Sequence, residues 1–116
     1  MVIKRGEIWW TRIPTPSGSE PGYKRPVVII SADAFNRSGI STVLATAVTA
    51  NLGRAAAPGN VRLSKRDSGL PLPSVANVTQ LMTLDKRMLT AKVKRLPPAV
   101  MSRIDAGLGQ ALSLAR

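Results

Sequence analysis

The hydrophobic positions of this chain fall into short runs rich in Val, Ile and Thr, which Gly, Pro and polar residues separate. Runs of this length and composition are typical of β-strands, and the uninterrupted run Val27–Ile30 is expected to be buried. Asn77 interrupts the longest run and is expected to bend it or to divide it into two strands. The predicted strands are Gly6–Ile13, Val27–Ser31, Ile40–Val48, Val61–Leu63, Ser74–Leu84 and Leu89–Arg95.

The pattern changes near the C-terminus, where apolar residues such as Val100 and Ile104 recur every three or four positions. This spacing predicts one clear helix, Pro98–Ala115, which starts at a proline and buries one face against the sheet. Gly107 and Gly109 each cost helix propensity, roughly 1 kcal/mol relative to Ala. They are expected either to permit a close approach or to weaken the last turns.

Many short strands and one terminal helix predict a mainly β fold, either a small β-barrel or a strongly curved sheet that the helix covers. The 116 residues suffice for one hydrophobic core, and the sequence has no repeat, low-complexity tract or linker. We therefore expect a single domain over residues 1–116.

The stretch Ser17–Ile30 begins with a segment rich in Gly and Pro and ends in the buried run. Its composition predicts a mobile loop with Tyr23, Lys24 and Arg25 at the tip, anchored by the strand that follows Pro26. A loop held by a buried strand is a common way to present a binding or catalytic group.

The net charge of the chain indicates which classes of partner it can bind. Seventeen Lys and Arg against six Asp and Glu give a net charge of +11. A surface of this sign attracts nucleic acid, an anionic membrane or an acidic protein, and composition does not choose among them. No apolar run approaches the roughly 20 residues of a membrane helix, and the N-terminus does not resemble a signal peptide. We expect a cytoplasmic protein with no membrane partner.

The residue inventory excludes several mechanisms. The chain has no Cys and no His, which removes disulfides, the usual zinc sites and the Ser-His-Asp and Cys-His mechanisms. It also lacks the GxGxxG and P-loop motifs, and we expect neither a metal nor another cofactor. An enzyme built from Arg, Lys, Ser, Thr and Asn acts by positioning and electrostatic stabilisation. RNA scission suits such an enzyme because the nucleophile, a 2′-hydroxyl, belongs to the substrate.

A series of short motifs covers nearly the whole chain. They are RGEIW at 5–9, GSE at 18–20, KRPVVI at 24–29, Asp33 with Asn36 and Arg37, TAVT at 46–49, PGNV at 58–61, DSGLP at 67–71, SVANVTQ at 74–80 and TLDK at 83–86. In the order and spacing of these motifs the sequence resembles the MazF/PemK family of toxin endoribonucleases.

The resemblance implies an SH3-like small β-barrel of the MazF/CcdB type with a C-terminal helix, assembled as a homodimer. Members of this family cleave single-stranded RNA at short specific sequences without a metal, leaving a 2′,3′-cyclic phosphate and a 5′-hydroxyl. A cognate MazE-like antitoxin neutralises them by placing an acidic, partly disordered tail in the RNA site. Neither the RNA sequence nor the class of RNA follows from the resemblance.

The resemblance also implies a catalytic pair, formed by Arg25 of the Arg-Pro motif and Thr49 at the end of the third strand. A guanidinium stays protonated, so Arg25 can stabilise phosphate charge but cannot act as a base. The Thr49 hydroxyl can bond to a phosphoryl oxygen. The general base is not identified, and Glu20 is a candidate because of its place in the loop.

Other residues are candidates for RNA binding. Tyr23 can stack on a base, and the amides of Asn36, Asn77 and Gln80 can read the edges of unpaired bases. Asn77 and Gln80 can equally satisfy the backbone at a bend, and the basic residues are expected to contact phosphates. The predicted set is Ser19, Tyr23, Lys24, Asn36, Arg54, Lys65, Arg66, Asn77 and Gln80.

Two other hypotheses stay open at this point. A non-catalytic toxin of the same fold would bind a protein target such as gyrase and form a stable complex without cutting RNA. A structural protein that binds nucleic acid would show no sequence preference and a steep salt dependence. Cleavage of RNA at discrete positions distinguishes the endoribonuclease from both.

Overall fold

The computed structural model describes residues 1–13 and 23–114. The strands are β1 (Glu7–Ile13), β2 (Tyr23–Ile29), β3 (Thr42–Thr49), β4 (Val61–Leu63), β5 (Ser74–Asp85) and β6 (Leu89–Arg95). The helices are α1 (Asp33–Arg37), α2 (Lys65–Ser68) and α3 (Pro98–Leu112), and 3₁₀ turns cover Leu52–Ala56 and Lys86–Met88. The predicted strands and the terminal helix are therefore present.

The six strands form one antiparallel sheet in the order β4-β5-β3-β2-β1-β6. The register between β3 and β5 shifts within the sheet, since Ala47 pairs with Asn77 whereas Thr46 pairs with Leu81. This irregularity bends β5 at the position where the sequence predicts a bend. The sheet is a half-barrel with a C-terminal helix, which confirms the predicted mainly β class.

Two local features differ from the sequence prediction. Tyr23–Arg25 do not form the tip of a loop, because they are the first residues of β2 and pair with Thr11–Ile13 of β1. Pairing with a neighbouring strand outweighs the local Pro and Gly signals. The second feature is α2, which the hydrophobic pattern does not predict: the Ser64 hydroxyl accepts a hydrogen bond from the Asp67 amide, and Gly69 ends the turn at φ 74°.

The predicted apolar stripe of α3 packs on one face of the sheet. The larger core cluster joins this stripe to the strands and consists of Ile8, Val28, Val48, Val61, Leu63, Leu70, Ala76, Val78, Leu96, Val100, Ile104 and Leu108. The helix ends at Leu112, where Ser113 adopts a left-handed conformation. Within the described ranges, no helix is both long enough and apolar enough to cross a membrane.

The opposite face of the sheet carries a smaller cluster. Its buried members are Ile3, Trp9, Val27, Ile29, Val43, Ala45, Leu84 and Leu89. Trp9 lies in this cluster, whereas Trp10 packs against the larger one, since successive side chains of β1 point to opposite faces. Both faces of the sheet are therefore partly apolar, and only one of them is covered by α3.

Gly107 of α3 makes the closest approach between the helix and the rest of the chain. A Cβ at this position would overlap the carbonyl oxygen of Gly59 and lie 2.9 Å from its carbonyl carbon. Gly59 has φ +81°, a conformation that favours glycine. Of the two roles that the sequence allows for Gly107, the structure supports the close approach.

Arg5 ties the N-terminus to α1 and α3. Its guanidinium bonds to Asp105 with a shortest distance of 2.6 Å, and its Nε donates to the Ile30 carbonyl oxygen at 2.8 Å. The Arg5 backbone amide donates to Asp33 Oδ1 at 2.7 Å. This hydrogen bond is the main reason why the pKa of Asp33 lies below its ordinary value of 3.8, and Asn36 and nearby arginines act in the same direction.

The Asp33 carboxylate is expected to make stability depend on pH. Because its pKa is lower in the folded chain, ionised Asp33 stabilises the fold above about pH 4, and this contribution is lost as the pH falls through the lowered pKa. The urea midpoint of D33N should therefore lie below that of the wild type at pH 6. The two should converge on acidification toward pH 2, and a gap that stays constant or widens would contradict this assignment.

Candidate functional site

The register between β2 and β3 brings Arg25 and Thr49 together. Val27 pairs with Ala47, and each step back along β2 corresponds to one step forward along β3. The β2–β3 pairing ends at Val27 and Ala47, and the same register continued by two residues would bring Arg25 opposite Thr49, on the same face of the sheet. At the usual spacing of neighbouring strands, about 4.8 Å, both side chains would be within reach of one phosphate group.

The Arg25 side chain starts from a paired strand. Arg25 is half-buried and lies opposite Thr11 of β1. Thr11 is fully buried, and its hydroxyl donates to the Met88 carbonyl oxygen at 3.0 Å. The sheet therefore fixes the backbone of Arg25, from which the guanidinium extends.

Among the described residues, the hydroxyl of Thr49 accepts a hydrogen bond from the Asn51 amide at 3.1 Å. The Asn51 side chain in turn accepts from the Gly53 amide at 3.1 Å and so starts the 3₁₀ turn. Because a hydroxyl both accepts and donates, the hydrogen of Thr49 remains able to donate to a phosphoryl oxygen. The chain after β3 thus bonds to the hydroxyl oxygen of Thr49, and the hydroxyl hydrogen can still donate.

Polar residues concentrate at one end of the sheet face that α3 does not cover. Thr11, Arg25, Thr49 and Asn77 share this face, because Asn77 pairs with Ala47. We call these four residues the polar end. The smaller apolar cluster occupies the rest of the face. The polar end is the candidate functional site.

Asn77 and Gln80 differ in their availability. Asn77 is buried, its Oδ1 accepts from the Thr79 hydroxyl at 3.1 Å, and its carbonyl oxygen accepts from the Thr46 hydroxyl. Neither bond joins the Asn77 amide to the backbone, so both roles expected for Asn77 stay predictions. Gln80 is exposed and lies in the bulge, between the paired residues Asn77 and Leu81. Bulges often redirect side chains beside a site, so Gln80 stays a prediction for RNA binding.

The structure argues against Asn36 as a residue that reads bases. Only 6% of Asn36 is exposed, its Oδ1 accepts from the Ser31 hydroxyl at 2.6 Å, and its Nδ2 donates to the Ser31 carbonyl oxygen at 2.9 Å. The amide is therefore used to hold α1 against the end of β2. A buried amide with both groups bonded has nothing to offer RNA.

Three other residues predicted to bind RNA differ in their exposure and in the face of the sheet on which they lie. Tyr23 is 47% exposed and, two residues before Arg25, lies on the same face. Lys24 is exposed and points to the opposite face. Arg54 is exposed in the 3₁₀ turn that follows Thr49.

Lys65 and Arg66 are exposed on α2, which lies against β6. The Lys94 ammonium of β6 donates to the Arg66 carbonyl oxygen at 2.5 Å, and a Cβ at Gly69 would lie 3.1 Å from a methyl group of Val93. The structure therefore places these two basic residues at an edge strand and not on the β2–β3 pair. Their prediction as phosphate contacts is not tested by this placement.

Ser19 and Glu20 lie outside the described residues, so the prediction of Glu20 as general base stays a prediction. Within residues 1–13 and 23–114, no group of three or more acidic side chains is close enough together to hold a metal ion. The polar end itself offers a guanidinium, hydroxyls and an amide. Such groups suit phosphate binding better than metal ligation.

One basic residue on this face is not among those predicted from the sequence. Arg62 of β4 pairs with Val75, and Val75 pairs with Thr49, so Arg62 falls in the same row across the sheet as Thr49. Alternation in Val61–Leu63 indicates that Arg62 points away from the core. The sequence alone does not show that Arg62 shares a row with Thr49, because this depends on how β4, β5 and β3 pair.

Comparisons with known proteins agree with this fold. Residues 4–112 match the model of a family described as PemK-like, MazF-like toxin of type II toxin-antitoxin system. The chain is 45% identical to endoribonuclease MazF2 of Mycobacterium bovis over 98% of its length and all of that protein. It is 33% identical to endoribonuclease EndoA of Bacillus subtilis, over 98% of this chain and 97% of that one.

The structure is also similar to that of an endoribonuclease in complex with its cognate antitoxin from a mycobacterial species. The TM-score is 0.79 at 27% identity, and the alignment covers 98% of both chains. Sequence and fold thus agree over nearly the whole length. The chain belongs to the PemK-like, MazF-like toxin family of type II toxin-antitoxin systems.

Proposed function

We propose that this protein is a sequence-specific, metal-independent endoribonuclease toxin that cleaves single-stranded RNA in the cytoplasm. The observation that carries the proposal is the register of β2 against β3, which, continued by two residues, would bring Arg25 opposite Thr49 at the polar end of the sheet. Endoribonuclease relatives at 45% and 33% identity support it. A net charge of +11 favours an RNA substrate, because a field of this sign concentrates polyanions.

In the proposed reaction, the 2′-oxygen attacks the adjacent phosphorus and the bond from phosphorus to the 5′-oxygen breaks. The products are a 2′,3′-cyclic phosphate and a 5′-hydroxyl. One proton leaves the 2′-hydroxyl and one reaches the 5′-oxygen, so the step balances without added water. The group that takes the first proton is not assigned, and Glu20 remains the candidate.

Arg25 and Thr49 act on the charge that develops during this step. The five N–H donors of a guanidinium match the oxygens of a phosphate, and Arg25 neutralises the extra negative charge of the phosphorane. It can also donate toward the leaving 5′-oxygen. The Thr49 hydroxyl donates to a phosphoryl oxygen from the neighbouring strand. Donors held in place before the reaction stabilise the transition state most effectively.

Thr49 provides a direct test of hydroxyl donation. Thr49→Val removes the donor and is expected to lower the single-turnover cleavage rate about a hundredfold, the effect of losing one positioned donor. Thr49→Ser keeps the hydroxyl and should stay within about threefold of the wild type. Equal rates for the valine variant and the wild type would contradict this role, and so would a serine variant as slow as valine.

The antitoxin is proposed as the second partner. A strongly basic surface suits the acidic tail of a MazE-like antitoxin, and a similar endoribonuclease is known in complex with its cognate antitoxin. A tail bound at the polar end would exclude RNA from Arg25 and Thr49. Added antitoxin is therefore expected to abolish cleavage in the assay described below.

We also propose a homodimer, supported by apolar residues exposed on the sheet. Leu44 and Leu81 are 50% and 39% exposed and are diagonal neighbours on one face, since Leu81 pairs with Thr46. Exposed apolar neighbours of this kind are typical of interaction surfaces.

Leu81→Glu should convert the dimer to monomers, because a charge would be buried without a partner at the interface. Sedimentation velocity measures this change, and Leu114→Glu, in a residue that is 69% exposed near the C-terminus, is the control. A monomeric wild type, or an L81E variant that sediments as the wild type does, would contradict the assignment.

The test of the proposed function is cleavage of a long single-stranded RNA in EDTA, followed by mapping of the ends. We expect discrete cuts at a recurring short sequence, with 5′-hydroxyl ends. Intact RNA after incubation with folded wild-type protein would overturn the proposal. Cuts with 5′-phosphate ends would overturn the mechanism, because they require attack by water and not by the 2′-oxygen.

A further inference from the structure

A small apolar pocket opens on the other side of the sheet from the polar end. It has a volume of about 130 Å³ and is lined chiefly by Trp10, Pro26, Ala50, Leu70 and Leu72. Trp10 and Leu72 are not fully buried, and Leu72 is 57% exposed. The pocket is thus formed by β1, β2, the end of β3 and the segment that leads into β5.

The pocket adjoins the candidate catalytic pair along the chain. Pro26 follows Arg25 directly, and Ala50 follows Thr49. Successive side chains of a strand point to opposite faces, so the pocket and the polar end share the same strand ends on opposite faces. The thickness of the sheet therefore separates the pocket from the side chains of Arg25 and Thr49.

The chemistry of the lining suits a flat ring. Trp10 and Pro26 pair across β1 and β2 and offer ring faces, and Pro71 adds another. The polar side chain in the lining is Ser74, whose hydroxyl already donates to the Leu72 carbonyl oxygen at 2.9 Å. A base would therefore be held by stacking and apolar contact, with its polar edges turned to water.

Two positively charged side chains lie beside the pocket on the same face of the sheet. Arg12 and Lys24 form a cross-strand pair, are both exposed, and lie two residues from Trp10 and Pro26 on the same face. Such a pair suits the phosphate of a nucleotide whose base enters the pocket. The lining contains no Asp or Glu.

Building on the proposed function, we infer that this pocket is a subsite for one base of the RNA substrate, and that the RNA passes from the polar end around the end of β3 to reach it. The base stacks on Trp10, and its phosphate contacts Arg12 and Lys24. The small volume favours a pyrimidine over a purine. An apolar side chain of an acidic peptide is the other occupant that the surface permits, but the ring faces and the continuity with Arg25 and Thr49 favour a base.

The test uses a short RNA that spans a mapped cut site, with 2′-O-methyl groups to prevent cleavage. Each nucleotide is replaced in turn by an abasic one, and the affinity of the wild type, L72A and the matched control L114A is measured. One abasic position should weaken binding of the wild type and L114A about tenfold, in line with the loss of one stacked base. The same position should have less than about a threefold effect on L72A.

A second measurement identifies the residue that the base contacts. Incorporation of 5-fluorotryptophan labels Trp9 and Trp10, and Trp9 is an internal control because it is buried on the opposite face. The uncleavable RNA should shift the ¹⁹F resonance of Trp10 and leave that of Trp9 in place. The abasic RNA identified above should not shift Trp10.

The inference is overturned if no abasic position matters more than the others, or if the penalty is equal in L72A. It is also overturned if an acidic peptide with one leucine shifts Trp10 whereas the RNA does not, which would make the pocket a peptide site. These outcomes are measured as affinities and resonance shifts on an uncleaved RNA, and cleavage serves only to choose its sequence. A protein that cuts RNA but fails them keeps the proposed function and loses only this subsite.

Discussion

Replacement of Arg25 by lysine is expected to lower the single-turnover rate of RNA cleavage by about 10²–10³-fold. Lysine keeps the charge but loses the planar set of donors that matches the phosphorane, and removal of one positioned donor typically has an effect of this size. Arg25→Ala should reduce the rate at least as much. RNA affinity should change much less than the rate, because the lost interaction is strongest in the transition state.

The matched control for this substitution is Arg103→Lys, an equally conservative change at an exposed position of α3. Its cleavage rate should equal that of the wild type. If R25K retains the wild-type rate, Arg25 serves only as a positive charge. If R25K and R103K lose activity equally, the loss reflects general electrostatics and not the place of Arg25 in the fold.

Gly107→Ala is expected to cause the largest loss of stability. In an open helix this substitution would stabilise the chain by up to about 1 kcal/mol through helix propensity. Here the added Cβ would overlap the Gly59 carbonyl oxygen, and backbone atoms on both sides leave little room for adjustment. We expect a net loss of about 2 kcal/mol in the free energy of unfolding. Urea unfolding measures it.

Gly39→Ala is the control, because a Cβ at that position has no atom within 4 Å. It should change stability little. A G107A variant as stable as the wild type would show that α3 can move away from Gly59 without cost. Cleavage by G107A should stay near normal at temperatures where the variant is folded, since Gly107 lies on the helix and not at the polar end.

The hydrophobic pattern was sufficient to predict the strands and the terminal helix, but it misplaced Arg25. Pro and Gly near Tyr23 and Pro26 are typical of a loop, and the sequence predicts one there. In the structure β1 extends far enough to pair with this segment, so Arg25 is fixed in a sheet. Local signals do not report whether a partner strand is present, which is why β2 begins earlier in the structure than the sequence predicts.

The proposed juxtaposition of Arg25 and Thr49 could not be derived from the spacing of residues. It depends on the register of β2 against β3, and a shift by one residue would turn one side chain to the opposite face. The family resemblance pointed to both residues without this geometry. Arg62 was missed for the same reason, since its row is set by pairing through β5.

Asn36 illustrates a different limit of sequence reasoning. An amide in a short polar segment suits either base recognition or a turn, and composition does not separate the two roles. The structure assigns the amide to Ser31, where both of its groups are bonded. Burial, which decides between these roles, arises from how α1 packs beside the end of β2.

The most direct test of the central claim uses an RNA in which one mapped cut site carries a 2′-deoxy nucleotide immediately 5′ of the scissile phosphate. If Arg25 and Thr49 promote attack by the 2′-oxygen, cleavage should disappear at that site and continue at unmodified sites in the same molecule. Continued cleavage at the deoxy linkage would contradict the account, because no nucleophile from the substrate would remain.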